Sequence, residues 1–468
     1  MKRFIIFLLT FVALWALWFF GFPNTIIWLE GFSFFCTLPD YTGLNLDIPG
    51  SVFQYMAAFL LQFYRWPAVG AAIHSLLPVL FVFFIWIAVS RVFRNSEGLL
   101  WIAYLPLPWF IYSQMNDLTL IKPVIMFSAS VAVALLAVLI RMTVKKGLPS
   151  WKFMHGKWLE MVLIVLCVWA AIFMLPGKQM NRKFEQIASL EHLATRQDWN
   201  KIIETVSRKE ALEDEYMRKY VLLALSETGR LADEAFRYGL AGSDDFIFKK
   251  QRAALCHNFN MLFYRSLGMD NPAVYYAYEE AALSASGLSF NALRTLVDTY
   301  IHLKDYKLAK KYMDILSHST CHGKWVRERL DALEGIKDSE PEYGNPEIKI
   351  PWGKFKLDMA FMSESHPEDH KIADYMLCGL LADRYGFEFY DEFRKMAPSR
   401  FAPGQHVPRI YQEALLMLIS QKPEEISRYN IDDEVIDDFV EFSDLVSQGK
   451  AALAKRKFAG TYWAYIYH

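Results

Sequence analysis

Five stretches of this chain carry no charged side chain: Phe4–Leu29, Trp66–Ser90, Gly98–Asn116, Pro123–Ile140 and Met161–Gly177. Burying a charge in hydrocarbon costs several kcal/mol, and about 20 apolar residues span a bilayer core. The stretches therefore predict five transmembrane helices near residues 4–21, 70–90, 98–114, 121–140 and 160–176. Pro106 and Pro108 interrupt the third, so a re-entrant hairpin is an alternative there. Lys2 and Arg3 give the first helix a basic start. The run then ends Phe19-Phe20-Gly21-Phe22-Pro23 with no small-x-small cleavage site, which reads as an uncleaved anchor.

The rest of the chain has a different solvent. Of 468 residues, 54% are hydrophobic and 22% charged, too apolar for an ordinary soluble protein and too polar for one wholly in lipid. Residues 1–176 carry a net charge of +5 and the remainder −6, which gives the overall −1. Disorder is excluded by the apolar content, and no basic domain points to nucleic acid.

Basic residues set the orientation. Lys2, Arg3, Arg91, Arg94, Arg141, Lys145, Lys146, Lys152 and Lys157 all fall on one side if the N-terminus is cytoplasmic. That is the positive-inside pattern. With five spans it places residues 178–468 on the exterior side of the membrane, although Lys178, Arg182 and Lys183 pull mildly the other way. The segment 23–66 is too apolar for a plain loop. Ser51 with Gln54 suggests a capping box opening a helix to Tyr64, with Phe53, Met56, Leu60 and Phe63 on one interfacial face. Trp28, Tyr64 and Trp66 are expected at headgroup level.

Residues 178–336 read as helix after helix, with breaks near Thr195–Asp198, Thr228–Gly229, Gly242–Asp245, Gly268–Pro272, Gly287–Ser289, Lys304–Tyr306 and Gly323. Three windows carry helix-pair spacing: Leu296, Val297, Tyr300, Ala309, Met313 and Leu316; Leu222 through Ala235; and Leu267 through Ala281. Together they suggest an α-solenoid of tetratricopeptide type; an irregular helical bundle is the rival. Residues 337–352, with Pro341, Pro346 and Pro351, read as a connector. Residues 353–468 continue the solenoid, with a helix near 366–385 that Ser365 and Glu368 could cap, and the aromatic end packed as its last helix. The expected fold class is thus all-α: polytopic transmembrane helices in residues 1–177, then a helical-repeat domain.

Chemistry is sparse. The five cysteines form no CxxC; Cys36 and Cys167 read as buried hydrophobes, and the spacing of Cys256, Cys321 and Cys378 selects no disulfide. His318, Cys321 and His322 cluster, but zinc wants a fourth ligand, so surface histidines at a helix end are expected. His366 and His370 lack the zinc-protease Glu, because Pro367 takes its place. No metal or cofactor is expected, and no phosphate loop or serine elbow occurs. Glu30, Asp40 and Asp47 lie in the first exterior loop, where a carboxylate could act as general base for transfer from lipid-linked sugars. In a repeat groove, Asn291, Arg294 and Asp298 are the candidate binding residues.

Pro49-Gly50, Tyr55, Phe59-Leu60, Gln62-Phe63-Tyr64, Pro67 and Gly70-Ala71 carry a resemblance, supported by Leu293–Trp325 and Thr461-Tyr462-Trp463. The chain resembles a family of Bacteroidota inner-membrane proteins of unknown function, the domain-of-unknown-function family 6057. The resemblance implies a polytopic anchor with a tetratricopeptide-like domain, and no catalytic residues. The expected function is a membrane-anchored scaffold, in contact with the lipid bilayer, that binds an envelope protein or peptide; the alternative is a polytopic transferase acting on lipid-linked or surface sugars.

Overall fold

Helix is the only regular structure among the described residues. The computed structural model describes residues 2–48, 50–93, 98–143, 157–173, 179–249, 253–334, 359, 362–363, 366, 369–401 and 405–467. The expected connector at 337–352, the Ser365–Glu368 cap and the basic 144–156 segment lie outside these residues. Two compact units result: Met1–Ser189 with Ala277–Pro341, and Leu190–Tyr276 with Glu342–His468.

Among the described residues of the first unit, three helices are long and apolar enough to cross a membrane: Arg3–Gly21, Pro67–Val92 and Ile121–Thr143, with mean hydropathies of 2.4, 2.4 and 2.5. The helices up to residue 195 are α1 (Lys2–Gly21), α2 (Pro23–Gly31), α3 (Pro39–Asp47), α4 (Ser51–Leu61), α5 (Pro67–Val92), α6 (Leu100–Tyr104), α7 (Leu107–Met115), α8 (Ile121–Thr143), α9 (Lys157–Phe173) and α10 (Arg182–Thr195). Proline opens α2, α3 and α5 within their first turn, where its missing N–H costs nothing.

The third expected span is two short helices, α6 and α7. Pro106 lacks the N–H that would continue α6, and it stands as the cap of α7. The broken pair still runs the length of α9. Leu100 N–H donates to Glu160 Oε1 at one end (2.8 Å), and Met180 N–H donates to Met115 O at the other (3.0 Å).

The segment between α1 and α5 departs from expectation in two places. No capping box opens α4. Its cap is Gly50 in the left-handed region (φ 89°), Ser51 Oγ turns back to Ile48 O, and Gln54 Nε2 reaches Ala285 O instead. Trp28 and Tyr64 do not sit at a surface. Trp28 packs against Phe32 and Phe184, and Tyr64 OH pairs with His74 Nδ1 at 2.9 Å, while Trp66 is exposed. Gly70 makes this packing possible: a Cβ there would fall 2.5 Å from Ile26 Cγ2 and 2.9 Å from the Tyr64 Cα.

The same unit contains the helices Phe290–His302, Tyr306–Ser317 and Gly323–Leu333. Ser289 and Asp305 cap the first two, giving their side-chain oxygens to Ala292 N–H and Leu308 N–H. Lys304 makes the turn between them at φ 57°. Leu296, Val297, Ala309, Met313 and Leu316 of these two helices are buried.

The second unit is built around the helix Glu215–Glu227. Tyr220 through Leu225 are all buried, so this helix is enclosed on every side. Gly229 (φ 70°) ends the turn after it, but only four helical residues follow, Leu231–Glu234, before a 3-10 turn. Ser207 and Glu210 form a full capping box, and Asp214 caps the central helix. Asp369 caps the helix His370–Ala382. The aromatic end forms a short last helix, Tyr462–Ile466, whose Trp463 is buried with Leu416, Val435, Phe442 and Phe458. No disulfide joins any of the five cysteines.

Candidate functional site

The richest polar cluster in the first unit joins the first loop to the segment 285–322. Phe290 N–H donates to Ser33 O (3.1 Å), and both Thr37 N–H and Thr37 Oγ1 donate to His318 O (3.1 and 3.2 Å). Arg65 Nη1 donates to Cys321 O at 2.8 Å, and Thr320 Oγ1 donates to Gln62 Oε1. At the centre, Glu30 Oε1 lies 2.9 Å from His322 Nε2, with both side chains buried. The Phe290 ring stacks on the imidazole, centroids 3.8 Å apart and planes within 9°.

Each element aims its residue for a local reason. Glu30 ends α2, and its carbonyl is held by Ser33 N–H. His322 is the cap of the helix Gly323–Leu333. α2 is fixed at its other end by Glu185 of α10. One oxygen of that carboxylate accepts from Asn24 N–H and Nδ2, the other from Thr25 N–H and Oγ1, at 2.7–3.0 Å. An acid placed there answers the helix N-terminal charge. The contact is not an aligned hydrogen bond: Glu30 Oε1 and His322 Nδ1 have no hydrogen-bond partner among the described residues.

The expected site residues divide. Glu30 is buried in this pair, whereas Asp40 and Asp47 are exposed at the two ends of α3. Asn291 closes on Gly31: a Cβ on that glycine would stand 2.7 Å from Asn291 Nδ2. Asp298 Oδ1 accepts from Arg329 Nε at 2.9 Å, and that guanidinium lies 3.5 Å over the Trp325 ring. The Arg294 guanidinium is 5.9 Å from the Phe290 ring centre. Asn291, Arg294 and Asp298 are half-buried. His322 was expected at the surface and is buried, and His318 is half-buried, 3.9 Å from Asp314. The cleft beside this seam, lined by Phe32, Ser33, Gln54, Leu118, Thr119 and Ala285, has a volume of about 20 Å³, room for about one water.

A model of a family described as a family of unknown function (DUF6057) matches residues 1–177 and 132–468. The chain belongs to this family. No curated protein and no solved structure matches it. In this DUF6057 chain one of the residues that carried the resemblance, Gln62, lies in the seam and takes Thr320; of the others, Gly50 opens α4, Tyr64 takes His74, and Gly70 admits Ile26.

The second unit of this DUF6057 chain holds two carboxyl groups that the sequence did not single out, Glu413, which is buried, and Asp374, which is half-buried. Burial pushes Asp374 up to about 6, against the Tyr411 OH that donates to it at 2.8 Å and the nearby charges of Arg400 and His370. Burial pushes Glu413 up to about 7, against donors at Tyr462 N–H (2.7 Å) and Arg409 Nε (3.1 Å). Arg409 also reaches Glu434 and Asp438. The signal for one was present, since Arg409 and Glu413 stand one helical turn apart. Shifted carboxyl groups mark functional sites only when they face a ligand; Glu413 faces the end of the last helix. No cluster of metal-ligating side chains occurs among the described residues.

Proposed function

We propose that the protein is a membrane-anchored helical scaffold of the bacterial envelope that binds another envelope protein or peptide. The observation that carries this reading is the seam. Six separate contacts, from Gln54–Ala285 to Glu30–His322, fasten helices after residue 277 to the loop between two apolar helices. A helical segment seated this firmly on the membrane part suits a scaffold.

The proposed topology has five spans, the N-terminus in the cytoplasm and residues 178–468 in the periplasm. Two ties support it. Asn24 with Glu185, and Met115 with Met180, gather the ends of α1, α7 and α9 at one level. The basic residues Arg3, Arg91, Arg141 and Lys157 belong to the opposite ends of α1, α5, α8 and α9. The broken third segment counts as a span because it runs the length of α9. Tetratricopeptide-like packing is proposed for the pair Phe290–His302 and Tyr306–Ser317.

Partner contact is placed on the second unit, where Tyr385, Phe387, Ile436 and Val440 are exposed. Exposed aromatic and aliphatic side chains are frequent anchors at interfaces. A photo-reactive amino acid at Phe387 or Val440 of the full-length protein, in native membranes, tests this. A single adduct recovered from both positions is expected. Adducts from neither position, in cells where the protein is functional, would count against the scaffold.

A further inference from the structure

Five polar side chains gather inside the first unit, and each is 0% exposed: Trp18 of α1, Tyr64 just before α5, His74 and Ser75 of α5, and Gln114 of α7. His74 is their centre. Its Nδ1 lies 2.9 Å from Tyr64 OH, and its ring centroid is 4.0 Å from that of Trp18. Its backbone carbonyl accepts from Gln114 Nε2 at 2.8 Å. The helix that carries it, Pro67–Val92, is apolar enough to cross a membrane, and an ionisable side chain within such a helix is costly and kept for a use.

Those contacts leave four atoms over. Trp18 Nε1, His74 Nε2, Ser75 Oγ and Gln114 Oε1 are shielded from solvent and have no hydrogen-bond partner among the described residues. One such atom is an ordinary exception in a folded protein, but four around one residue are not.

The atom types define what meets them. The Trp18 indole N–H only donates. Gln114 Oε1 only accepts, and its orientation is fixed because Nε2 is spent on the His74 carbonyl. The Ser75 hydroxyl and the imidazole nitrogen serve either way. The occupant must therefore accept and donate at once. A ketone or ester carbonyl would leave Gln114 unmet, and a cation would leave Trp18 unmet. No carboxylate is among the five to balance a cation. Asp117, the acid nearest Gln114 in the chain, spends its oxygens on Thr119 and on Lys122 N–H. Water accepts and donates with the smallest body. A buried water makes about three hydrogen bonds, so about one or two would satisfy the four atoms.

We infer that this nest binds internal water, which joins α1 to α5 and α7. Gln114 already ties α7 to α5 directly, and the water brings in Trp18 of α1. The inference is independent of the scaffold reading.

The test uses full-length protein in lipid nanodiscs. A brief X-ray pulse splits bound water into hydroxyl radicals, which oxidise the side chains beside it, and mass spectrometry locates the oxidation. Trp18 and His74 should be oxidised well above Tyr104, an equally buried ring of the same unit whose OH is met by Thr10 Oγ1 at 3.0 Å. Magnetisation transfer from water in NMR should reach the Trp18 indole proton, assigned by its loss in Trp18→Phe. His74→Phe with Gln114→Leu should bring the oxidation of Trp18 down to the level of Tyr104. In the unaltered protein, oxidation of Trp18 and His74 no higher than that of Tyr104, or no transfer to the indole proton, overturns the assignment whether or not the variant folds. So does oxidation of Trp18 that stays high in a folded double variant, because its source would then lie outside these atoms. An organic molecule retained by the unaltered protein in native mass spectrometry and lost from the variant also overturns it, because a larger donor–acceptor group would then be the occupant.

Discussion

Glu30 Oε1 and His322 Nε2 meet at 2.9 Å between the end of α2 and the start of the helix Gly323–Leu333, with the Phe290 ring closing over the imidazole. Removing one member of such a pair leaves the other's buried polar atoms unpartnered, which costs about 1–3 kcal/mol. Glu30→Ala and His322→Ala should each lower thermal stability strongly. The double variant should be much less destabilised than the sum, by a coupling of about 1–3 kcal/mol. Additive losses in a melting series would show that the two side chains do not depend on each other.

Gly31 and Asn291 offer a genetic version of the same test. An added Cβ at residue 31 would meet Asn291 Nδ2 at 2.7 Å and Oδ1 at 2.8 Å. Gly31→Ala should therefore destabilise by about 1–3 kcal/mol through overpacking. Asn291→Ala should restore most of that loss in the double variant, scored by abundance in membranes. Failure of the second change to rescue the first would mean the two segments do not touch there.

Much of the architecture was legible because its causes are local. Charge-free stretches located α1, α5 and α8, and turn residues such as Gly229 and Lys304 marked helix ends. The seam was legible only as residue types without partners. Glu30 was visible as a loop acid, His322 as one of a histidine cluster and Asn291 as a helix position, but long-range pairing leaves no periodic trace in a chain. Hence Ser51 and Gln54 looked like a capping box, although Gln54 is spent on Ala285 O. The same holds for Asp374, whose partner Tyr411 lies on another helix.

The exposed acids of the first loop give a direct comparison of scaffold and transferase. Asp40 and Asp47 are both at the surface. The scaffold reading expects Asp40→Asn with Asp47→Asn to leave function and abundance unchanged. A positioned general base contributes about 100-fold or more. Loss of function at normal abundance in the double variant would turn the argument toward sugar transfer.

Topology is checked by reporter fusions at Lys146 and Asp245. The five-span arrangement expects opposite signals, cytoplasmic at Lys146 and periplasmic at Asp245. Equal signals would contradict it, and would leave the broken pair α6–α7 as a hairpin that enters and leaves on one side.

The buried Glu413 sets a pH dependence with an unusual sign. Its carboxyl is raised from 4.5 to about 7 in the folded chain, chiefly by burial, with Tyr462 N–H and Arg409 opposing. Below 4.5 the group is protonated folded or unfolded, and above about 7 it is ionised in both. Between them the folded state holds a proton that the unfolded chain has released, so stability is gained at the acidic side and lost as pH rises through the window. Asp374, raised from 3.8 to about 6, acts in the same direction over a lower range. Each unit of difference is worth about 1.4 kcal/mol, so Glu413 should contribute about 2–3 kcal/mol of loss between pH 5 and 7.5. The melting temperature of the full-length protein in detergent should fall across that interval. Glu413→Gln keeps an acceptor for Tyr462 N–H but cannot titrate, and should flatten the fall. An unchanged slope in that variant would place the titrating group elsewhere.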